Sequence, residues 1–205
     1  MAELQFQEQV TYGKKTPVDI HFAASHHLNP NQAQQFVYFL PKPQLQAMAQ
    51  TAGGIAGLTV GDFSLAFQDF ASQWQAVSKG SFTTWVFQGG VLLLKSVIKI
   101  YVDDRFRDRA DLLGLIMEHE FQHVADEIEV LRTDVPARLR DDSMVSQYLI
   151  QKKPVDSSMF ESWFKTSKFE EWVQPVYAEE HNRRGRRRDS GMEYANYINS
   201  ISTRL

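Results

Sequence analysis

Two stretches of the 205-residue chain decide its fold, VLLLKSVIKIYV at residues 91–102 and LLGLIMEHEFQHVADEIEVL at residues 112–131. The first is rich in β-branched and aromatic residues, which is typical of a β-strand. In the second, apolar residues recur every three or four positions, which predicts an amphipathic helix over about residues 109–131. We therefore expect an α+β fold with a small twisted sheet and a mostly helical C-terminal half.

The segment before the strand is predicted to mix strands and helices. Apolar and polar residues alternate over residues 18–22, which predicts a strand. Residues 82–87 are separated from the strand at 91–102 by Gly89-Gly90, and this pattern predicts a β-hairpin. Residues 61–78 follow helical spacing and predict an amphipathic helix. The apolar positions of that helix are Phe63, Ala66, Phe67, Phe70, Trp74 and Val77.

After the amphipathic helix at 109–131, the chain is predicted to be helical almost to its end. Pro136 is expected to interrupt this region, and Pro175 is expected to kink or divide the segment 168–181. Ser158-Met159-Phe160-Glu161 has the pattern of a capping box, which predicts the start of a helix. A last short helix is predicted over about residues 191–202.

The length and composition favour one domain over residues 1–205. Hydrophobic residues make up 43% of the chain and aromatic residues 12%, which is enough for a buried core. Neither an internal repeat nor a linker divides the sequence. We expect a mixed N-terminal part at about 1–108, the helix at 109–131 and a helical part at 132–205.

The charge of the chain excludes some partners. The formal net charge is −3, which gives no global electrostatic reason to bind nucleic acid. Apolar runs such as Val91 to Leu94 are too short to span a membrane. The first residues lack the basic start and apolar core of a signal peptide, so we expect a cytoplasmic protein, or one exported by a signal-independent route.

Cysteine is absent, which excludes disulfide scaffolds and thiolate metal sites. A metal site in this chain must therefore be built from carboxylates and from its six histidines. Two of these occur in His119-Glu120-Phe121-Gln122-His123, an HExxH motif within the predicted amphipathic helix. The two histidines are four residues apart, so they share one helix face.

The HExxH motif suits a catalytic zinc ion. His119 and His123 can converge on one ion, and Glu120 is close enough to reach a water molecule bound to it. Zinc lowers the pKa of that water, and Glu120 can then accept its proton as a general base. The alternative is that the histidines are satisfied core residues, but buried imidazoles without partners are costly.

In these five residues the chain resembles the active-site helix of the zincin metallopeptidases. The resemblance covers this helix and the strand at 91–102, and it implies that the strand forms a sheet edge that pairs with an extended substrate. It also implies a zinc cofactor and a protein or peptide substrate. Positions 126 and 129 are Asp and Glu, where the metzincin pattern needs Gly and His, and the thermolysin-like Asn-Glu-x-x-x-Asp sequence is absent. The subfamily is therefore not identified.

Asp126 lies on the histidine face but is too far along the helix to be a ligand. It is seven residues from His119, roughly 10 Å along the axis. We expect Asp126 to accept a hydrogen bond from the spare N–H of His123. A plain surface carboxylate is an equally good interpretation.

The third ligand is expected to come from the later helices. The segment Tyr177 to His181 holds a phenol, two carboxylates and an imidazole. We favour Glu180 as the ligand and Tyr177, three residues earlier, as a catalytic hydrogen-bond donor to the transition state. An exposed charged turn is the alternative. The other candidate ligands are Glu161, Glu170, Glu171, Glu179, His181 and Glu193.

The remaining histidines and the arginine run are given less weight. His21, His26 and His27 have no partner at ligand spacing and are interpreted as strand or loop residues. Residues 183–188 contain five arginines and are interpreted as a solvated loop. The alternatives are that these arginines contact an acidic partner or a phosphate, or that they form a loop prone to autolysis.

The sequence therefore predicts a zinc-dependent metallopeptidase or a related hydrolase, for instance one that acts on cell-wall peptides. The alternatives are a non-catalytic binding module with a vestigial or structural metal site, or an effector or toxin domain exported without a signal peptide.

Overall fold

A computed structural model of the chain describes residues 3–13, 37–51 and 54–204. It confirms an α+β fold with a mostly helical C-terminal half. The strand predicted at 18–22, together with His21, His26 and His27, lies outside the described residues.

The described residues form the following elements. The strands are β1 (Leu4–Tyr12), β2 (Val37–Leu40), β3 (Gly57–Phe67), β4 (Trp74–Lys79), β5 (Phe82–Phe87), β6 (Gly90–Asp103) and β7 (Val155–Asp156). The α-helices are α1 (Lys42–Met48), α2 (Phe70–Gln73), α3 (Ala110–Glu129), α4 (Val135–Asp141), α5 (Ser157–Met159), α6 (Lys168–Arg188) and α7 (Gly191–Ser202). A 3₁₀ turn spans Asp104–Phe106, and π-helical segments span Val130–Asp134, Val145–Ile150 and Phe160–Phe164.

The strands form two sheets, and this corrects two expectations. In one sheet β6 lies between β1 and β2 and also pairs with β3, whereas β5 pairs with β4 and β7 in the other sheet. The predicted hairpin of β5 and β6 is therefore wrong, and β6 is not an edge strand. Gly89 and Gly90 have φ values of 109° and 146°, which favour glycine. They connect β5 to a strand of the other sheet rather than closing a hairpin.

The helix predicted at 61–78 is also wrong. This region contains most of β3, then α2 and most of β4. Residues four apart, such as Phe63 and Phe67, share one face in a strand as well as in a helix, so their spacing does not separate the two. Phe67 and Trp74 contact each other across this turn, with ring centroids 6.2 Å apart.

The helical half agrees better with the predictions. Helix α3 is confirmed, and α7 begins and ends where it was predicted. Pro136 lies in the first turn of α4, where a missing N–H is tolerated, and α6 continues through Pro175 instead of dividing there. The cap near the predicted capping box is Asp156, whose side chain accepts a hydrogen bond of 2.8 Å from the Met159 N–H.

The chain divides into two compact units, each built from three segments. We call them the aromatic unit (Met1–Gln9, Phe63–Lys95 and Glu129–His181) and the histidine unit (Val10–Asp62, Ser96–Ile128 and Asn182–Leu205). These units do not coincide with the predicted parts, because both are discontinuous in sequence.

Each unit has its own set of packed apolar side chains. In the aromatic unit, Phe67 stacks on Phe169 at 5.7 Å, and Trp85 stacks on Phe160 at 4.1 Å. In the histidine unit, alternate residues of β6 and the apolar face of α3 form one core. Among the described residues, no helix is both long and apolar enough to cross a membrane.

Candidate metal centre

Helix α3 presents both histidines of the HExxH motif to one point. The Nε2 atoms of His119 and His123 are 3.2 Å apart, and the two rings are nearly perpendicular at 89°. His119 is buried and the side chain of His123 is 16% exposed. Leu112 and Ile116 on the same helix are fully buried in the core of the histidine unit, which holds the histidine face in place.

Asp189 joins the two histidines. Its Oδ1 atom lies 3.1 Å from His119 Nε2 and 3.0 Å from His123 Nε2. Asp189 follows α6 directly, and its backbone N–H donates to the carbonyl of Gly185 at 2.9 Å. Within the described part of the chain, these three residues are the only group of His and carboxylate side chains whose ligand atoms converge in this way.

The spacing of the three atoms fits a tetrahedral metal ion. Two ligand atoms that each bind one zinc ion at about 2.0–2.1 Å lie about 3.3 Å apart. The separations of 3.0, 3.1 and 3.2 Å are within a few tenths of an ångström of that value. The side chain of Asp189 is 45% exposed, so one side of the group is open to solvent. The residues present therefore fit a three-ligand metal site with an open position.

The three side chains shift one another's proton affinities. Burial opposes ionisation of Asp189, but the hydrogen bonds from His119 and His123 outweigh it and lower the pKa of the Asp189 carboxyl. Burial also opposes protonation of His123, yet the hydrogen bond to Asp189 and the charge of Glu120 raise the pKa of its imidazole. The carboxylate is thus kept in the charged form that a metal ligand requires.

Glu120 lies buried beside the histidines and is held by β3. Its Oε2 atom accepts a hydrogen bond of 2.7 Å from the hydroxyl of Thr59. A Cβ atom at Gly57 would overlap the same carboxylate, coming within 2.8 Å of its Cδ atom. Burial raises the pKa of Glu120, and this effect exceeds the opposing influence of the neighbouring histidines and of Thr59. A raised pKa suits a group that must accept and then release a proton near neutral pH.

Two tyrosines of α7 lie against His119. The ring of Tyr197 stacks on the His119 imidazole with centroids 4.3 Å apart, and Tyr194 is 5.6 Å away. Ile201, one turn after Tyr197, is buried in the core of the histidine unit and anchors the helix. Burial raises the pKa of both phenols, so they keep their protons as hydrogen-bond donors.

Asp126 contacts arginines of α6. Its two oxygens accept hydrogen bonds from Arg188, Nε to Oδ2 at 2.9 Å and Nη2 to Oδ1 at 3.0 Å. Arg184 lies farther away, with its Nη1 atom 3.9 Å from Oδ1. This differs from both predictions for Asp126, a hydrogen bond accepted from His123 and a plain surface carboxylate. The solvated loop expected at residues 183–188 is in fact the last turns of α6, and two of its arginines face this carboxylate.

The ligand and the catalytic residue favoured from sequence have other contacts. Glu180 is buried and its Oε1 atom accepts a hydrogen bond of 2.9 Å from Arg138, which also binds Glu179 at 3.1 Å. Tyr177 is buried and stacks on Phe63, with centroids 4.4 Å apart. None of these residues belongs to the group formed by the histidines and Asp189. Their proposed roles as ligand and transition-state donor stay predictions.

The other candidate ligands also have contacts elsewhere or are exposed. Glu161 pairs with Lys165 at 2.6 Å, Glu170 accepts a hydrogen bond of 3.3 Å from the Leu65 N–H, and Glu171 accepts one from the Ser167 hydroxyl. The His181 ring lies 5.5 Å from that of Tyr177, and Glu193 is exposed in the first turn of α7.

Sequence reasoning missed Asp189, Thr59 and both tyrosines of α7. The signal for Asp189 was its position between two predicted helices, at the end of the arginine run and before Ser190-Gly191. Thr59 lies 61 residues before Glu120 and carries no local signal. Tyr194, Tyr197 and Ile201 do share one face at helical spacing, and that pattern was available.

Comparison of the chain with protein-family models, with curated proteins and with solved structures finds no match to any of them. A functional proposal must therefore come from the residues of the site itself.

Proposed function

We propose that the chain is a zinc-dependent hydrolase that cleaves peptide or amide bonds, with His119, His123 and Asp189 as zinc ligands and Glu120 as general base. The observation that carries this proposal is the convergence of the Asp189 carboxylate with both imidazoles of the HExxH motif, at 3.0 and 3.1 Å. A carboxylate in this position completes the His₂-carboxylate set typical of catalytic zinc sites that keep a fourth position open.

The donor set narrows the choice of metal. Two histidines and one carboxylate suit zinc, and they also suit ferrous iron in oxygenases. The buried Glu120 beside the ligands favours zinc hydrolysis, because that reaction needs a group to move a proton between water and the leaving amine. The absence of cysteine disfavours a closed structural zinc site built from thiolates.

The residues of the chain then have defined tasks. When bound, zinc supplies a Lewis acid that polarises the substrate carbonyl and makes a water molecule more acidic. Glu120 takes a proton from the attacking water while the oxygen of that water bonds to the carbonyl carbon of the substrate. It then returns the proton to the amine nitrogen as the C–N bond breaks. The Thr59 hydroxyl holds the Glu120 carboxylate in one orientation during both transfers.

Metal analysis of the purified protein tests the metal site. We expect about one zinc per chain after zinc loading and dialysis, and loss of that zinc in His119→Ala and Asp189→Ala variants. Failure of the wild-type chain to retain zinc would overturn the proposal.

A second measurement separates an enzyme from a binding module. The Glu120→Gln variant keeps the size of the side chain and should keep zinc, but it should lose hydrolysis of a mixed peptide library. If Glu120→Gln cleaves peptides as fast as the wild type, Glu120 is not the general base. If neither form cleaves any peptide while both retain zinc, a non-catalytic metal-binding module is the better description.

A further inference from the structure

Within the histidine unit, the pair formed by Asp126 and Arg188 has the geometry of a rigid connection between α3 and the end of α6. Two parallel hydrogen bonds, at 2.9 and 3.0 Å, join the guanidinium to the carboxylate. Such a forked pair fixes both distance and orientation, unlike a single contact with a lysine. The side chain of Asp126 is only 15% exposed, so water competes little for these bonds.

Arg188 is the residue directly before Asp189. Asp126 is three residues after His123 on α3, which places it about one turn along the helix on a similar face. The pair therefore joins the metal-binding face of α3 to the end of α6 at the residue next to the third candidate ligand. Gln122 adds a longer contact of 3.5 Å to the same guanidinium.

The position of the Asp189 carboxylate must be fixed by neighbouring contacts if it is to bind a metal. The Asp189 side chain is 45% exposed, and its backbone N–H donates a hydrogen bond to the carbonyl of Gly185. A carboxylate at this degree of exposure is not fixed by packing, and fixing its rotamers costs conformational entropy. Metal ligands are commonly held in place by neighbouring groups that do not touch the metal.

We infer that Asp126 and Arg188 form a clasp that positions Asp189 to bind the metal, and this inference rests on the proposed function. The clasp also acts through charge. Arg188 brings a positive charge next to a cation site, and Asp126 neutralises that charge where the two helices meet. Asp126 and Arg188 are thus positioning residues, whereas His119, His123 and Asp189 are the ligands.

The test is the apparent dissociation constant for zinc, measured by competition with a chelating dye. Asp126→Asn should weaken zinc binding by roughly tenfold to a hundredfold, the usual effect of removing a partner around a metal site. Arg188→Lys keeps the charge but not the fork, and it should give an intermediate loss. Asp111→Asn is the matched control, because Asp111 lies on the same helix in an exposed pair with Arg109 and should leave zinc affinity unchanged.

The melting temperatures of the metal-free variants separate positioning from general stability. The inference is supported if Asp126→Asn loses zinc affinity while its metal-free form still unfolds cooperatively. It is overturned if Asp126→Asn and Arg188→Lys both bind zinc as tightly as the wild type. If Asp126→Asn does not fold, Arg188→Lys alone decides between these two results.

The zinc affinities of the wild type and of the variants distinguish a wrong clasp from a wrong metal site. If the wild type binds no zinc, or if Asp189→Ala binds it with unchanged affinity, the proposed site itself is wrong. If zinc binding requires Asp189 but is unaffected by the clasp variants, the site stands and only the clasp is rejected.

Discussion

The hydroxyl of Thr59 donates a hydrogen bond of 2.7 Å to Oε2 of Glu120, across 61 residues of sequence. It connects strand β3 to the residue that we propose as the general base. Glu120 is 2% exposed and Thr59 is half-buried, so the bond is partly shielded from water. A hydrogen bond to a buried carboxylate both orients it and favours its charged form.

Removal of the Thr59 hydroxyl should slow hydrolysis without removing the metal. We expect Thr59→Val to lower kcat by roughly tenfold to a hundredfold, because a hydrogen bond to a charged group contributes about 1.5–3 kcal/mol. Thr59→Ser keeps the hydroxyl and should restore most of the rate. Steady-state kinetics on a peptide substrate, together with zinc content, checks this. Equal rates for the Val and Ser variants would show that the hydroxyl has no role in the reaction.

A side chain at Gly57 should displace Glu120. The added Cβ atom of Gly57→Ala would overlap the Glu120 carboxylate, so the buried side chain or the strand must move. We expect a loss of about 1–3 kcal/mol in the free energy of unfolding, as for other overpacked sites, and a larger loss of activity.

Gly114→Ala provides the matched control for Gly57. Gly114 is exposed on α3, and a Cβ atom there would meet nothing within 4 Å. That substitution should be neutral or stabilise the helix by up to about 1 kcal/mol. Urea unfolding of the metal-free proteins measures both effects. A Gly57→Ala variant as stable as Gly114→Ala would contradict the close contact between β3 and Glu120.

Substitutions of Asp189 and Glu180 should affect zinc affinity differently, because we propose only Asp189 as the third ligand. We expect Asp189→Asn to lose zinc affinity by at least a hundredfold, and to lose the stability that the charged Asp189 gives the metal-free fold through its contacts with His119 and His123. Glu180→Gln should keep zinc affinity but lower stability by roughly 1 kcal/mol, because it removes the negative charge that accepts the part-buried hydrogen bond from Arg138. Isothermal titration with zinc and urea unfolding of both variants checks this. The reverse pattern would support the ligand favoured from sequence.

The parts of this fold that were predicted from sequence are those with long regular patterns. Helix α3 repeats its apolar face over about five turns, and β6 alternates buried and less buried residues over most of its length. Helix α7 has the same kind of face in Tyr194, Tyr197 and Ile201. Each of these patterns is local, so it can be read without knowledge of the neighbours.

The features that were not predicted depend on pairing between distant segments. Nothing local tells β5 to pair with β4 rather than with β6, because the sequence of a strand does not specify its partner. Asp189 is 66 residues from His123 and reaches it only because α6 ends at that point. The HExxH motif itself was visible, since the two ligands that it contributes lie on one helix. The third ligand depends on tertiary structure, which a single sequence does not display.

The pH dependence of stability should differ between the metal-free and zinc-loaded protein. In the metal-free protein the pKa of Asp189 is lowered, so its contribution to stability is present above its unfolded pKa of about 3.9 and lost as pH falls. The pKa of His123 is raised, so its contribution is complete below about pH 6.5 and is lost as pH rises through its folded pKa. The raised pKa of Glu120 also makes folding less favourable as pH rises. The metal-free protein should therefore be more stable at about pH 5.5 than at pH 8.

Zinc should stabilise the protein more at high pH than at low pH, because it binds only deprotonated imidazoles and protons compete with it at low pH. The zinc-loaded protein is expected to gain more stability from the metal at pH 8 than at pH 5.5. Thermal unfolding at both pH values, with a chelator and with saturating zinc, measures the two slopes. A His123→Gln variant is the control, because it removes the imidazole and should reduce the pH dependence in both states, leaving the part that comes from Glu120. If the metal-free wild type is more stable at pH 8 than at pH 5.5, the charged cluster of Asp189 and His123 does not stabilise the fold as the contacts indicate.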